Sequence, residues 1–376
     1  MKLRASIFLL VMAFVGTGAY AKDAPRWSQQ KANQWYSSRA WLVGSNFLPS
    51  TAVNELEMWQ ADTFDPTTID RELGWAEGLG MNTMRVFLHN IPWQEDSKGF
   101  LTRMDQFLQI ADKHHIQITF VLLDSVWNPY PKAGPQPAPT PHVHNSQWVQ
   151  APGAEILKDP SLWDKELKPY VVGVLTHFRN DRRVVMWDLM NEPDNDNPGY
   201  KSTELPDKAK LATELLAREW QWAREVNPSQ PLTSGVWKGD WSSDAVLSPT
   251  ARLQLTNSDV LTFHSYDPPE VMKKRIASLK RFHRPIICTE YMARPLGSTF
   301  AAILPILKQD KVGAYNWGFV SGKSQTIYPW DSWGKKYAGP PPVWFHDIFY
   351  PDGKPYREDE VELIRKLTGK TAGGKQ

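Results

Sequence analysis

Cysteine is nearly missing from this chain. Cys288 is the only one, so no intrachain disulfide can form, and its place inside an apolar strand-like run makes it a small buried hydrophobe rather than a reactive thiol. Excess charge is missing too. The formal net charge is +2, and no dense Lys/Arg run interleaves with aromatics, so a nucleic-acid partner is not expected. Neither G-x-G-x-x-G nor G-x-x-x-x-G-K-S/T occurs, which argues against a doubly wound nucleotide-binding sheet, the main alternative architecture. The one long apolar run, Ile7 to Val15, is too short to span a bilayer.

That run has the flanks of an export signal. Lys2 and Arg4 precede it and Ala19-Tyr20-Ala21 follows, the small-x-small pattern of a cleaved leader. Residues 1–21 are therefore expected to be removed, leaving 22–376 as a single domain, periplasmic or secreted, monomeric and free of the membrane. No cysteine follows the run to accept a lipid.

What the chain has in abundance is tryptophan, 18 in 376 residues. Its flat apolar faces suit core packing and stacking on the C–H faces of sugar rings, and by number most must be core.

Along the chain, strands and helices alternate. Trp41 to Phe47 reads as a first strand, followed by a helix with Asp65 as N-cap, Pro66 at its first position and Gly80 as its stop. Asn82 to Leu88 and Ile116 to Asp124 are the next strands, with a helix over about Thr102 to His114 between them. A long Pro-, Gly-, His- and Trp-rich loop, Ser125 to Pro160, leads to a helix over about Ser161 to Phe178. Val184 to Pro193 carries the fourth strand, an apolar run that ends in Asn191-Glu192-Pro193; the proline is expected to hold Glu192 extended. A helix from Asp207 to Val226, strands at Leu232–Trp237, Val260–Tyr266, Pro285–Glu290 and Val312–Phe319, and helices near Pro268–Phe282, Ser298–Gln309 and Glu358–Leu367 complete the pattern. Eight strands alternating with helices predict one (β/α)₈ TIM barrel of the α/β class with long loops after strands three and eight.

Active sites of that fold lie at the C-terminal strand ends. There the sequence places Asn46, Arg85 with His89 and Asn90, Asp124, Asn191 with Glu192, Trp237, His264 with Tyr266, Glu290 with Tyr291, and Trp317. Asn191-Glu192-Pro193 on strand four and Thr289-Glu290-Tyr291 on strand seven, 98 residues apart, with His264-Ser265-Tyr266 between them and Trp317 beyond, resemble the retaining glycoside hydrolases of clan A. The similarity is nearest to family 5, the cellulase and mannanase family.

That resemblance implies double displacement, with Glu192 as acid/base and Glu290 as nucleophile, two carboxyls roughly 5 to 5.5 Å apart. Glu192 would stay protonated through desolvation and the nearby charge. Arg85 and Tyr266 would keep Glu290 ionised. Asn191 would hold the sugar 2-hydroxyl, Trp317 would floor the subsite, and His264 would bond near the acid or the sugar. Asn46 and Trp237 are further substrate-binding candidates. No cofactor or metal is implied.

His142-Val143-His144 lacks a further ligand at metal-site spacing and reads as a solvated loop. His114-His115 reads as a helix end favouring the dipole. Trp127, Tyr130 and Trp148 on the third loop, and Tyr328, Trp330 and Trp333 on the eighth, lack core periodicity and are candidates for lining a sugar cleft. The expected substrate is a mannan or β-glucan type carbohydrate. The competing readings are a carbohydrate-binding barrel that has lost catalysis and a transglycosylase using the same residues. Two like charges kept close together argue against the binder.

Overall fold

A computed structural model describes residues 25–370, so the leader expected at 1–21 lies outside them. Eight parallel strands, β1 (Val43–Asn46), β2 (Thr83–Phe87), β3 (Gln117–Asp124), β4 (Val184–Asn191), β5 (Leu232–Thr233), β6 (Leu261–His264), β7 (Ile286–Tyr291) and β8 (Gly313–Asn316), run in the order β5-β4-β3-β2-β1-β8-β7-β6. The ring is almost closed. Between β5 and β6 the ladder is reduced to one parallel bridge, Val236 to Phe263, reinforced by a 2.9 Å bond between the Thr233 and Thr262 hydroxyls.

The strands form where apolar residues run without a helical stripe, and all eight residues of β4 are buried, as a strand covered on both faces requires. Helices start where a short acceptor can cap them. Asp65 accepts from the Thr68 amide with Pro66 at the first position, and Asp96 accepts from the Gly99 amide to open a helix over Ser97–Lys113, a turn earlier than expected. That helix turns Phe100, Met104, Phe107, Leu108 and Ala111 inward. Trp59 fills the space between it and the sheet, with ring centroids 5.5 to 6.3 Å from Phe100, Phe107 and Phe120. His114 bonds Asp70 (2.7 Å) and Glu77 (3.0 Å), a tie between two helices rather than a dipole effect alone.

Inside the ring the Tyr315 hydroxyl sits between Thr83 and Thr119, at 2.8 and 3.0 Å, one layer below Arg85. Cys288 is fully buried and burial pushes its thiol up, so it is inert as expected. Five helices escaped the sequence reading: Gln29–Ser37, Glu55–Trp59, Asn90–Glu95, Ala154–Leu157 and Pro249–Asn257. Three of them are only four to six residues long, and Pro249–Asn257 is weakly amphipathic, so periodicity had little to register. Among the described residues no helix is long and apolar enough to cross a membrane.

Candidate active site

Strand ends collect one buried polar cluster at the C-terminal mouth, organised by Arg85. Its side chain is fully buried and all five of its N–H donors are engaged. Nε and Nη2 donate to Asp188 Oδ2 (3.0 and 2.8 Å), Nη1 to Asn46 Oδ1 and Glu290 Oε1 (both 2.9 Å), and Nη2 also to Asn191 Oδ1 (2.8 Å). Arg85 thus spans β1, β2, β4 and β7, with no donor left for a sugar. Asn46 is held the same way, since its amide nitrogen donates to the carbonyls of Thr289 (2.8 Å) and Asn316 (3.2 Å).

The two glutamates face each other across this cluster. Tyr266 donates its hydroxyl to Glu290 Oε2 at 2.7 Å, so Glu290 has a cation on one oxygen and a phenol on the other. Glu192 meets different company: Asn195 Nδ2 donates to Oε2 (2.6 Å), and Oε1 lies 2.7 Å from His264 Nδ1. His264 Nδ1 is also 3.5 Å from Glu290 Oε2. Ligand-capable atoms of Glu192, His264 and Glu290 all fall within 4.8 Å of one another, a spacing that could also take a divalent ion. The His264–Glu192 hydrogen bond accounts for the approach without one.

Burial raises both carboxyl pKa values, and the Glu192 charge raises that of Glu290 further. The pair therefore holds one proton more readily than none. Arg85 and Tyr266 oppose that rise at Glu290, as Asn195, Arg85, Lys208 and Lys238 do at Glu192. Burial drops His264 to about 4, which keeps the imidazole neutral. With Asn195 donating to Oε2, a proton on Glu192 belongs on Oε1, where it donates to His264 Nδ1.

Glu192 departs from its expected geometry. Its φ is +41°, in the left-handed region, rather than extended. Pro193 disfavours the right-handed helical region, which leaves this turn open. In it the Glu192 carbonyl accepts from Ser125 Oγ (2.7 Å) and the Asn195 amide (3.0 Å), and the carboxyl is aimed at His264. A non-glycine residue in this region costs on the order of 1–3 kcal/mol, the kind of strain that gathers at functional sites.

Asn191 joins the cluster, donating to Asp124 Oδ1 at 3.0 Å, and burial lifts that aspartate to about 7. Trp317 packs on Phe87 and Trp148 with centroids 5.8 and 5.7 Å away and is 7% exposed. Trp237 stands beside the acid, its indole N–H donating to Asp194 at 2.7 Å. His89 and Asn90 do not reach the cluster. His89 donates to the Gln150 carbonyl and accepts from the Ile91 amide, and Asn90 begins the short helix. Tyr291 packs into the core against Phe300.

Of the loop aromatics, Trp148 and Tyr328 are buried, at 3 and 4% exposure; Tyr328 packs with Ile327 and Trp344, while Trp148 borders a small cavity with Phe87 and Trp317. Trp330 is 40% exposed and packs edge-on to Tyr266, centroids 4.9 Å apart. Trp127 and Trp333 stack at 6.2 Å, and Tyr130 is exposed with its hydroxyl on the Thr203 carbonyl. His144 is not on a solvated loop: it is fully buried and donates to the Tyr328 carbonyl, while His142 donates to that of Tyr337.

Asp188 and Asn195 were missed from sequence. Asp188 had a signal, a charge inside an otherwise apolar strand, which a buried run tolerates only beside a partner. Asn195 sits in a polar loop where nothing set it apart.

A (β/α)₈ barrel with two such glutamates at the ends of β4 and β7 resembles the clan A arrangement of O-glycosyl hydrolases. Sequence comparison agrees: residues 141–323 match the family model described as glycosyl hydrolases family 2, TIM barrel domain. The chain is also similar to a mannan endo-1,4-beta-mannosidase of Mytilus edulis, 25% identical over 272 residues, which span 63% of this chain and 66% of that protein, just under two thirds of its length. Solved structures of similar fold include the beta-mannanase of the blue mussel Mytilus edulis (TM-score 0.56, 14% identity, 89% of this chain and 93% of that one). Another is GH5_18 from Streptomyces cattleya in complex with GlcNAc (TM-score 0.59, 12% identity, 88% and 80%).

Proposed function

We propose that the protein is a retaining β-glycosidase of the family 5 type, exported by its leader as a single-domain monomer and acting on mannan-type β-linked carbohydrate. One observation carries the mechanism: Glu192 and Glu290 face each other within 4.8 Å in unlike surroundings. That separation suits the roughly 5 Å of a double displacement and is short of the 6.5–9.5 Å that an inverting water requires. The mussel relative's name supports the choice of mannan.

Glu290, charged and fixed by Arg85 and Tyr266, attacks the anomeric carbon. Glu192 gives its proton to the departing glycosidic oxygen and then removes one from the water that frees the sugar. His264, neutral, keeps the Glu192 proton on Oε1. Asn191, oriented by Arg85 and Asp124, has its second amide hydrogen for the sugar 2-hydroxyl, a bond that tightens as positive charge grows at the ring.

The test is product analysis of the purified protein on mannans, β-glucans, xylans and galactans, with NMR of the first anomer released. Release of the inverted anomer would overturn the retaining mechanism. Cleavage confined to glucans or xylans would overturn the sugar assignment.

A further inference from the structure

Lys208 sits against two local rules. It opens the helix Lys208–Val226, where the positive end of the dipole disfavours a cation, and it is only 3% exposed, although an ammonium is costly to bury. Burial lowers it to about 8. What it finds there is a set of acceptors. Nζ donates to the Ser125 carbonyl at 2.8 Å and to the Asn195 carbonyl, and it lies 3.5 Å from Ser125 Oγ, so its three donors are spent on two residues.

Those two residues are the ones that hold Glu192. Ser125 Oγ donates to the Glu192 carbonyl at 2.7 Å. The Asn195 backbone amide reaches the same carbonyl at 3.0 Å, and the Asn195 side chain donates to Glu192 Oε2 at 2.6 Å. Lys208 therefore stands one residue behind Glu192 on two sides, gripping the end of β3 through Ser125 and the loop after β4 through Asn195. The rest of that loop is fastened separately. Asn197 bonds the Trp127 carbonyl and amide, at 2.6 and 3.1 Å, so the loop stays joined to its neighbour without the lysine. What depends on Lys208 is narrower: the position of the Asn195 peptide, and with it the direction of the side-chain amide that fixes Oε2.

That direction matters because Glu192 is held against its backbone preference, at a φ of +41°. A non-glycine residue stays in the left-handed region only where its surroundings over-determine it, and the clamp on Ser125 and Asn195 is such a surrounding. The ammonium also acts as a charge. It lowers the Glu192 pKa against the rise from burial, which favours the carboxylate that must take a proton from water in the second displacement.

We propose that Lys208 is a positioning residue for the acid/base: by clamping Ser125 and Asn195 it keeps the Glu192 carboxyl turned so that Oε2 is fixed and Oε1 is left to carry the proton. This rests on the role of Glu192 proposed above. Lys208 acts only through those two residues, so its loss should be felt where a proton has to be delivered to the leaving group.

The test compares kcat/KM on two kinds of substrate. The 2,4-dinitrophenyl β-glycosides of mannose and mannobiose, of which the one the wild type cleaves faster is used, lose a group that needs no proton; β-1,4-mannopentaose loses one that does. Lys208→Met should reduce kcat/KM on mannopentaose at least about tenfold more than on the dinitrophenyl glycoside, part of the roughly 10²–10⁴-fold that a general acid supplies. Lys208→Arg, which keeps the charge and can donate to both carbonyls, should restore much of the difference. A thermal melt checks folding, and where Lys208→Met does not fold, Lys208→Gln is read in the same way. Glu192→Ala is measured alongside. Equal losses on the two substrates in a folded Lys208 variant, with a selective loss in Glu192→Ala, overturn the proposal and leave the acid standing. No selective loss in Glu192→Ala, or a wild type that cleaves neither kind of substrate, overturns the underlying reading and the proposal with it.

Discussion

Tyr266→Phe isolates one bond of the site. The ring that packs on Trp330 is kept, and only the hydroxyl on Glu290 Oε2 is lost. A hydrogen bond to a charged group contributes about 1.5–3 kcal/mol. At about 1.4 kcal/mol per pKa unit, its loss should raise the Glu290 pKa by about 1–2 units. The sign follows from which form the phenol favours. It stabilises the carboxylate, so without it the nucleophile protonates at higher pH and the acid limb of kcat/KM moves up. Arg85 stays on Oε1, so the variant remains active on the plateau. The assay is kcat/KM for an aryl β-glycoside across pH, with a thermal melt to confirm folding. An acid limb left where the wild type has it, in a folded variant, would refute the assignment of Glu290 as the ionised member of the pair.

Glu290→Gln should lower turnover by orders of magnitude on every substrate, while Glu192→Ala should be milder on an aryl glycoside whose leaving group needs no proton; parallel losses in initial rates would contradict the division of roles. Trp330→Ala should raise KM more for a long oligosaccharide than for an aryl glycoside, and equal effects would remove it from the substrate path. Arg294 is buried, paired with Glu360 at 2.6 Å and bonded to the carbonyls of Trp344, His346 and Asp347. Arg294→Ala should therefore cost about 3–5 kcal/mol in denaturant unfolding, as broken buried pairs do. Burial lowers His144 from 6.5 to about 4. The unfolded chain takes up that proton first, so His144 supports the fold above pH 6.5 and the support drains away as pH falls toward 4. His144→Gln should flatten the decline of Tm across that window.

The barrel and both glutamates were legible because they rest on strong local signals: apolar strand runs, caps at Asp65, and charged residues at abrupt strand ends. Arg85 was legible as a cation inside a strand. What sits on it was not, because its partners come from three other strands, and Asp188 counts as a partner only once β2 and β4 face each other. Glu192 shows the limit of a local rule, for Pro193 restricts its neighbour without deciding which allowed region tertiary bonds select. The loop aromatics were hardest. Trp148 and Trp330 look alike in sequence, yet one is buried against Phe87 and Trp317 and the other is exposed, a difference set by long-range loop contacts.

The narrow seam at β5 gives the barrel a direction in which to breathe. Two residues on one side and a single bridge on the other hold this stave, whereas β3 and β4 share six paired positions. Few backbone bonds need break there, so amide exchange at Gly235 and Val236 should outpace that of Phe120 or Trp187 by a wide margin. His264 follows the seam, with Nε2 turned toward Gly235 and bonded to nothing. Each opening would let water reach the back of the imidazole that holds the acid's proton, so the most loosely hooped part of the barrel is also the one from which the catalytic mouth can be wetted from behind.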